Sequence, residues 1–429
     1  KRLLAALLSA VLLLTLVPAA FAASDLDGHW AKKYIDYLAD EDIINPSATT
    51  GKYQPDAKVT RAEFMRYINR AFHFTETASI SYTDVPKSAW YYETVCIAQK
   101  YGYINGVGGG KMDPTGTVTR EQAATIIGRL YKADPGDVSP SSLDFKDKAK
   151  ISSWSAGYIR AAVDKGFLAG YSDGTFRPTR EVTRGEVAKI IYYYLGTSLS
   201  RAGKAYTGAD LRGDTTNATI SESCTLSDAT ITGDLYLTEG LGSGAVTLMN
   251  VYVRGTIIVA GGTVTMTNTT SDHIIVSSAM GRLLQTTATG ASRFSEAEVR
   301  TAAVLYEKVL TDGYDGFENV TVSGGNKVSL TVDADLLKLT VNAPATVTTT
   351  AAAKVYHLRA NRAATVTGYG SVYQADVRTD GVSFTKDVAL GGYTLASGVS
   401  VSVAGENRTA SSTAAVSPSS VILDLGDEE

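Results

Sequence analysis

The chain has 429 residues, of which 44% are hydrophobic and 20% charged, a composition typical of folded domains rather than of disordered or membrane-embedded chains. Its formal net charge of −4 argues against a general nucleic-acid binder. Two cysteines, Cys96 and Cys224, and four scattered histidines exclude a disulfide framework and weaken the case for a metal site. We therefore expect two or three globular domains and no cofactor.

Residues 1–22 are predicted to be a secretory signal peptide. Lys1 and Arg2 precede an apolar run from Leu3 to Val17, and the small-x-small pattern at 20–22 is typical of a cleavage site. The run is shorter than the roughly 20 residues that span a bilayer, which favours export with cleavage over a retained anchor. No other segment is comparably apolar, so no membrane contact is expected after cleavage.

Three similar blocks follow, predicted at 23–76, 77–136 and 140–200. Each contains one of the three tryptophans and, at a nearly constant distance along the chain, the arginine of a Val-Thr-Arg triplet. Apolar residues at helical spacing predict a first helix in each block, and a second helix is expected to start at the triplet's threonine. The predicted first helices run from Ala31 to Leu38, Tyr91 to Lys100 and Ser155 to Lys165.

The second helices open on a capping box, in which a threonine caps the helix and Glu or Gln follows three residues later. This explains the threonine but not the arginine after it, since a cation at a helix N-terminus is mildly unfavourable. We favour an anion held by the arginine and by free backbone N–H groups. The alternative is that each arginine pairs with a local carboxylate, or that the carboxylate orients it. The residues concerned are Arg61, Arg120 and Arg184, with Asp25, Asp84 and Asp147.

The tryptophans allow two interpretations. A tryptophan at the start of a helix commonly packs in the core, whereas an exposed one beside an arginine offers an apolar platform for a sugar ring. Core packing is at least as good an explanation for any single tryptophan. The repetition of the Trp–Arg pattern in all three blocks favours sugar binding.

The blocks resemble S-layer homology domains in Thr83-Asp84-Val85 with Trp90, in the loop 173–178 (Asp-Gly-Thr-Phe-Arg-Pro), and in Thr60-Arg61-Ala62-Glu63. The resemblance covers about residues 25–195. It implies an all-α pseudo-trimer that binds anionic, often pyruvylated, secondary cell-wall polysaccharide in grooves between repeats. Position by position, it implies the binding residues Asp25, Trp30, Arg61, Asp84, Trp90, Gly106, Arg120, Asp147, Trp154, Gly170 and Arg184.

Departures from the family pattern indicate that the three sites are not equivalent. In the first repeat, Asp42 and Pro46 stand where the family has glycines, which weakens the prediction of close backbone approach by a ligand there. In the second, Met112 replaces the loop phenylalanine. The third repeat has the most regular loop. Cys96 lies on an apolar helix face and is predicted to be a buried thiol.

Residues 201–429 are predicted to be a β-rich region. They carry 16 basic and 23 acidic side chains, so the net acidity of the chain lies here. The segment 246–250 returns in similar form at 264–268, and 231–237 resembles 253–259. Such offsets favour a parallel β-solenoid over the alternative, a pair of β-sandwich domains. Ser295, followed by Glu296 and Glu298, predicts a helical insertion at about 295–310.

The sequence favours a secreted protein anchored at a bacterial cell wall, with a structural or adhesive β region and the capacity for self-association in a surface layer. The alternative is a wall-anchored polysaccharide lyase or hydrolase. Acidic residues are spread through the β region, and the best pair, Asp333 and Asp335, is expected to share one strand face. Since no catalytic motif is present, we do not expect an enzyme.

Overall fold

The computed structural model describes residues 25–311 and 316–409. The predicted signal peptide therefore lies outside the described residues. In the described part, six α-helices precede a β-solenoid, and none of these helices is long and apolar enough to cross a membrane. The helices are α1 (Lys32–Asp40), α2 (Arg61–Ala71), α3 (Tyr92–Tyr101), α4 (Arg120–Leu130), α5 (Ser153–Asp164) and α6 (Arg184–Leu195).

The predicted helix–loop–helix repeats and their capping boxes are confirmed. The side chains of Thr60, Thr119 and Thr183 accept hydrogen bonds from the backbone three residues on, and the Glu or Gln there accepts a bond from the threonine N–H in return. Helices α2, α4 and α6 consequently start at the arginine of each triplet.

The three repeats close into a ring around a pseudo-threefold axis. Val59 donates its N–H to the carbonyl of Val182, Val182 to Val118, and Val118 back to Val59, at 2.9–3.1 Å. All three valines are fully buried. Because each repeat supplies one donor and one acceptor to a closed cycle, no repeat completes this axis alone.

The predicted parallel β-solenoid is also confirmed, with about 11 turns between 197 and 403. An antiparallel strand at 406–409 covers the last described turn on one side. The strands are β1 (Thr197–Leu199), β2 (Ala205–Thr207), β3 (Ala218–Ile220), β4 (Cys224–Ile231), β5 (Leu235–Leu237), β6 (Ala245–Val259), β7 (Thr263–Thr267), β8 (Thr270–Val276), β9 (Leu284–Gly290), β10 (Arg293–Val299), β11 (Ala303–Leu310), β12 (Gly316–Val322), β13 (Val328–Asp333), β14 (Asp335–Val341), β15 (Ala345–Thr349), β16 (Lys354–Ala360), β17 (Ala364–Gly368), β18 (Ser371–Val377), β19 (Val382–Phe384), β20 (Ala389–Leu395), β21 (Ser400–Val403) and β22 (Glu406–Thr409).

The sequence offsets correspond to the strand register. Val246 lies opposite Val264, and Leu235 lies opposite Ile257. A ladder of side chains marks one corner of the coil: Asn268 donates to Asn250 at 3.0 Å, and Asn250 donates to Asp228 at 2.8 Å. All three ladder residues have positive φ, which Asn and Asp tolerate better than other side chains. Asn and Asp are therefore selected here by backbone conformation and by the ladder together.

The predicted helical insertion at 295–310 is wrong. Those residues belong to β10 and β11, which pair in parallel with the turns on either side. Phe294, Ala297 and Val299 point into the core, as do Ala303 and Leu305. Pairing on both edges and burial of this apolar face override the local helix-start signal, which is a weak preference.

Asp333 and Asp335 do not share a strand face as expected. Asp333 ends β13, the buried Ala334 turns the corner, and Asp335 begins β14. Asp333 accepts a hydrogen bond from Thr350, and Asp335 forms an ion pair with Lys354 at 2.7 Å. Both carboxylates are therefore held by neighbouring turns.

The hydrophobic core of the helical unit continues into the first turns of the solenoid. Phe72 and Tyr194 pack edge-on against Tyr236, which is buried. Nearby, Lys132 pairs with the buried Glu239. The two units thus share a core across their junction. Cys96 is buried, as predicted, and so is Cys224, whose thiol pKa is raised to about 11 by burial.

Candidate grooves between the helical repeats

Each of the three triplet arginines reaches into the loop of another repeat. Arg61 donates through Nε to the carbonyl of Met112 and through Nη2 to that of Asn105, both at 2.9 Å. Arg120 makes the same two bonds to Phe176 and Ala169. Each guanidinium therefore fastens two repeats together. Arg184 departs from this pattern: it bonds the carbonyl of Tyr53, the side chain of Gln54 and the carboxylate of Glu63.

The backbone N–H groups at these helix starts are not free, contrary to the expectation that they hold an anion. Arg61 donates its N–H to Gly116 at 2.8 Å and Ala62 to Pro114 at 2.9 Å, while the third N–H bonds the Thr60 side chain. In the other two repeats the equivalent backbone N–H groups also donate to carbonyls: Arg120 to Arg180, Glu121 to Pro178, Arg184 to Ala57 and Gly185 to Pro55. An anion in these grooves therefore cannot be held by the N–H groups at the helix starts.

The aspartates organise loops and form no ion pair with the arginines. Asp84 accepts the N–H groups of Met112 and Asp113 at 2.9 and 2.8 Å. Desolvation opposes ionisation of Asp84, but these backbone bonds outweigh it and hold its pKa below the usual range. Asp25 and Asp147 accept equivalent pairs of N–H groups from their own loops. The direct Arg–Asp pairing that the sequence left open is thus absent from the described residues.

A groove is assembled from all three repeats, not from the residues of one. The clearest example, which we call the Arg61 groove, is a cavity of about 380 Å³. It is lined by Arg61 of the first repeat, by Gly106 and Arg129 of the second, and by Trp154 of the third. The predicted residues therefore do meet, but in cyclic order around the axis.

The other two grooves follow the same order. In the Arg120 groove, Arg120 bonds the loop just before Gly170, and Trp30 packs beside Gly185. In the Arg184 groove, the ring of Trp90 lies 4.7 Å from the Arg66 guanidinium. The three indoles are 52–56% exposed, which excludes the interpretation that they are core anchors.

The loop glycines have a packing explanation. A Cβ on Gly106 would lie 2.6 Å from the carbonyl of Lys111, and one on Gly170 would lie 2.8 Å from the ring of Phe145. Such distances are too short for any side chain. In the first repeat, Asp42 adopts a φ of 56°, where the other repeats have glycines at the end of the first helix. Asp42 therefore carries backbone strain that those glycines avoid.

The grooves differ in the charge at the third residue of the second helix. Glu63 neutralises Arg184, and Glu186 pairs with Arg180 at 2.7 Å. The equivalent residue in the Arg61 groove is Gln122, which is neutral. The arginine at the helix start is therefore unpaired in the Arg61 groove, whereas Arg184 is neutralised by Glu63. The Arg184 groove still contains Arg66, which forms no ion pair within the described residues.

Sequence reasoning missed Arg129, the second cation of the Arg61 groove. Arg129 lies in the last turn of α4, and neither it nor Arg61 forms an ion pair within the described residues. Arg61 is only 4% exposed, and burial lowers its guanidinium pKa, although arginine stays protonated at neutral pH. The sequence contained a signal for this residue, because Arg70 occupies the position in α2 that Arg129 occupies in α4.

Comparison with known proteins agrees with this geometry. Residues 24–65, 81–124 and 144–188 match the S-layer homology domain. The three matched stretches contain the tryptophans, the triplet arginines and the loops that form the grooves.

Related proteins share this part of the chain. An amylopullulanase of Thermoanaerobacterium thermosulfurigenes is 33% identical over 178 residues, 41% of this chain and 10% of the relative. A surface-layer 125 kDa protein of Lysinibacillus sphaericus is 26% identical over 183 residues, 41% and 15% respectively. A cellulosome-anchoring protein of Acetivibrio thermocellus is 35% identical over 111 residues, 26% and 24% respectively. The chain thus spans a quarter or less of these relatives' lengths. It carries three S-layer homology domains followed by a parallel β-solenoid, and it is a cell-surface protein.

Proposed function

We propose that the helical grooves hold this protein non-covalently on an anionic secondary cell-wall polysaccharide, with a pyruvyl carboxylate as the group recognised. The Arg61 groove carries the proposal. Its two guanidiniums, Arg61 and Arg129, form no ion pair with a protein carboxylate within the described residues and share a cavity with the exposed ring of Trp154. A largely buried cation without a counterion is costly, and a ligand carboxylate would supply one.

The chemistry of the groove fits a sugar that bears an acid. Guanidinium groups bind carboxylates through charge-assisted hydrogen bonds. An exposed indole offers an apolar face to the C–H surface of a pyranose ring. The names of two relatives, a surface-layer protein and a cellulosome-anchoring protein, are consistent with an anchoring role for the shared domains.

The grooves are expected to contribute unequally. Arg184 is already paired with Glu63, and Pro46 replaces the loop glycine of its groove. We propose that the Arg61 groove is the main site and the Arg120 groove the second.

Retention of the full chain on purified cell wall, with and without pyruvyl groups, tests this proposal. Arg129→Ala is the sharpest variant, because the Arg129 side chain makes no hydrogen bond or ion pair within the described residues. We expect about tenfold weaker retention, since a hydrogen bond to a charged group contributes roughly 1.5–3 kcal/mol. Arg160→Ala is the matched control, because Arg160 is an exposed arginine bonded to Ser142. Equal retention of Arg129→Ala and Arg160→Ala, or equal binding to walls without pyruvyl groups, would contradict the proposal.

We further propose that the solenoid is a displayed structural or adhesive element, able to self-associate, and not a catalyst. The separation of Asp333 from Asp335 across a corner supports this. Glu307, whose pKa is raised to about 7 by burial, accepts backbone N–H groups of Phe317 and Asp335 and so has a structural role. Incubation with a glycan panel and product analysis tests the proposal. Turnover lost in Glu307→Gln or Asp335→Asn would favour the wall-anchored enzyme instead.

A further inference from the structure

Three successive turns of the solenoid form a continuous apolar strip on its outer surface. Leu336 lies opposite Val355, and Val355 opposite Val372, so the residues that follow them occupy equivalent positions. Those residues are Leu337, Tyr356 and Tyr373. The two tyrosine rings stack at 5.1 Å with an angle of 10° between their planes, and Leu337 is 54% exposed.

A polar trough runs beside this strip. Lys338, His357 and Gln374 follow the strip residues and lie opposite one another in register. Together with Leu337 and Asp376, among others, they line a cavity of about 350 Å³. The strip and the trough therefore form one surface that extends along the solenoid axis.

The trough contains a cation and hydrogen-bonding groups that the protein does not use. Lys338, His357 and Gln374 make no side-chain hydrogen bond or ion pair within the described residues. The neighbouring charged groups are satisfied, since Lys354 pairs with Asp335 and Arg359 with Asp376. Lys338, an unpaired lysine in the column beside the tyrosine stack, stands out in a region with more acidic than basic residues.

We propose that this trough is a glycan-binding site for a polysaccharide chain that carries carboxylate groups and runs along the solenoid axis. The C–H surfaces of the pyranose rings would contact Leu337 and the outward edges of Tyr356 and Tyr373, because the two tyrosine rings are stacked on each other. Lys338 would pair with a carboxylate, and Gln374 would bond hydroxyl groups. Neighbouring turns are about 4.8 Å apart, so one extended chain meets the same surface repeatedly.

Fold stabilisation alone explains only part of this arrangement. Stacked tyrosines on adjacent strands support a sheet whether or not a ligand binds. That role does not account for an exposed leucine in line with the stack, nor for the unpaired Lys338 beside it. Charge complementarity therefore selects an acidic glycan over a neutral one.

Binding of the full chain to polygalacturonate, with neutral dextran as the comparison, tests this inference. The helical grooves are first weakened with Trp154→Ala and Arg129→Ala, so that any remaining binding comes from elsewhere. In that background we expect about tenfold weaker polygalacturonate binding for Lys338→Gln and for Tyr356→Ala with Tyr373→Ala. Tyr252→Ala, at a tyrosine 46% exposed on another turn, is the matched control and should stay within about twofold of its parent.

Four outcomes would overturn the inference: no polygalacturonate binding by the parent, equal binding of dextran, no loss in Lys338→Gln, or an equal loss in Tyr252→Ala. If the double tyrosine variant does not fold, Lys338→Gln decides alone, because its side chain is not part of the core. Wall retention through the helical grooves is a separate measurement, so this inference and the proposed anchoring fail independently.

Discussion

The helical unit and the solenoid are both built from repeats, yet they use repetition differently. A groove of the helical unit takes Arg61, Gly106 and Trp154 from three repeats, so it exists only when the ring closes. A solenoid surface takes Leu337, Tyr356 and Tyr373 from consecutive turns that pair directly with one another. Repeats that close into a ring create sites between segments distant in sequence, whereas repeats stacked along an axis extend one surface from turn to turn. The two halves should therefore respond differently to damage.

A buried charge at the ring axis should produce the largest effect. Val118→Asp places a carboxylate at a fully buried position on the axis and should cost about 4 kcal/mol or more. We expect all three repeats to lose protection together in native-state hydrogen exchange, because the cycle of backbone bonds joins them. Val366→Asp is the matched change in the solenoid, where Val366 is equally buried. Its effect should be confined to adjacent turns, as in other linear repeats.

The proposed difference between the two units would be wrong if Val118→Asp reduced hydrogen-exchange protection only in the second repeat. It would also be wrong if Val366→Asp removed protection from turns at both ends of the solenoid.

The junction between the two units should respond almost as strongly. Glu239→Gln leaves Lys132 buried without its carboxylate, and breaking a buried pair typically costs about 3–5 kcal/mol. We expect urea denaturation to show separate transitions for the helical unit and the solenoid, because their shared core is weakened. Asp36→Asn is the control: its pair with Lys32 is half exposed and screened by solvent, so its loss should leave the unfolding transition nearly unchanged. A single unshifted transition in Glu239→Gln would show that the junction does not couple the units.

The solenoid should show a pH dependence from one buried carboxyl group. Burial raises the pKa of Glu307 from its usual 4.5 to about 7, so the folded state binds a proton more tightly than the unfolded state. The resulting stabilisation of about 3 kcal/mol is complete below pH 4.5 and is lost as the pH rises to 7.

Urea unfolding of the solenoid across that pH range checks the effect. Glu307→Gln should flatten the profile, while Glu406→Gln, at an exposed position, should leave it as in the wild type. A wild-type solenoid whose stability is constant from pH 4.5 to 7 would contradict this assignment.

The sequence predicts most of the fold because the decisive signals are periodic. The constant Trp-to-Arg spacing gives the helical repeats, and the offsets between similar strand segments give the strand register. A single local signal is less dependable. Thr60 with Glu63 and Ser295 with Glu298 present the same capping pattern, but only the first forms a helix. The second lies between two turns of solenoid, and strand pairing on both sides decides its conformation.

The composition of a groove was harder to predict than its existence. The family resemblance indicated Arg61, Gly106 and Trp154 and placed the grooves between repeats, but it did not say which residues share one groove. Their cyclic arrangement depends on how the ring closes, which spacing does not encode. The hydrogen bonds from the N–H groups at the start of α2 to the carbonyls of Gly116 and Pro114 likewise depend on the position of a neighbouring loop, which the sequence does not give.

The smallest expected effect is also the most specific test of how the grooves differ. Glu63→Gln should release Arg184 while keeping the capping box, since Gln122 already fills that role in the second repeat. We expect a gain of about twofold to fivefold in wall retention, because one more guanidinium becomes available to an anion. Gln122→Glu is the reciprocal change and should weaken retention by a similar factor, since it places a carboxylate in the Arg61 groove. If both variants shift retention in the same direction, or neither does, the charge at this position does not set which groove binds.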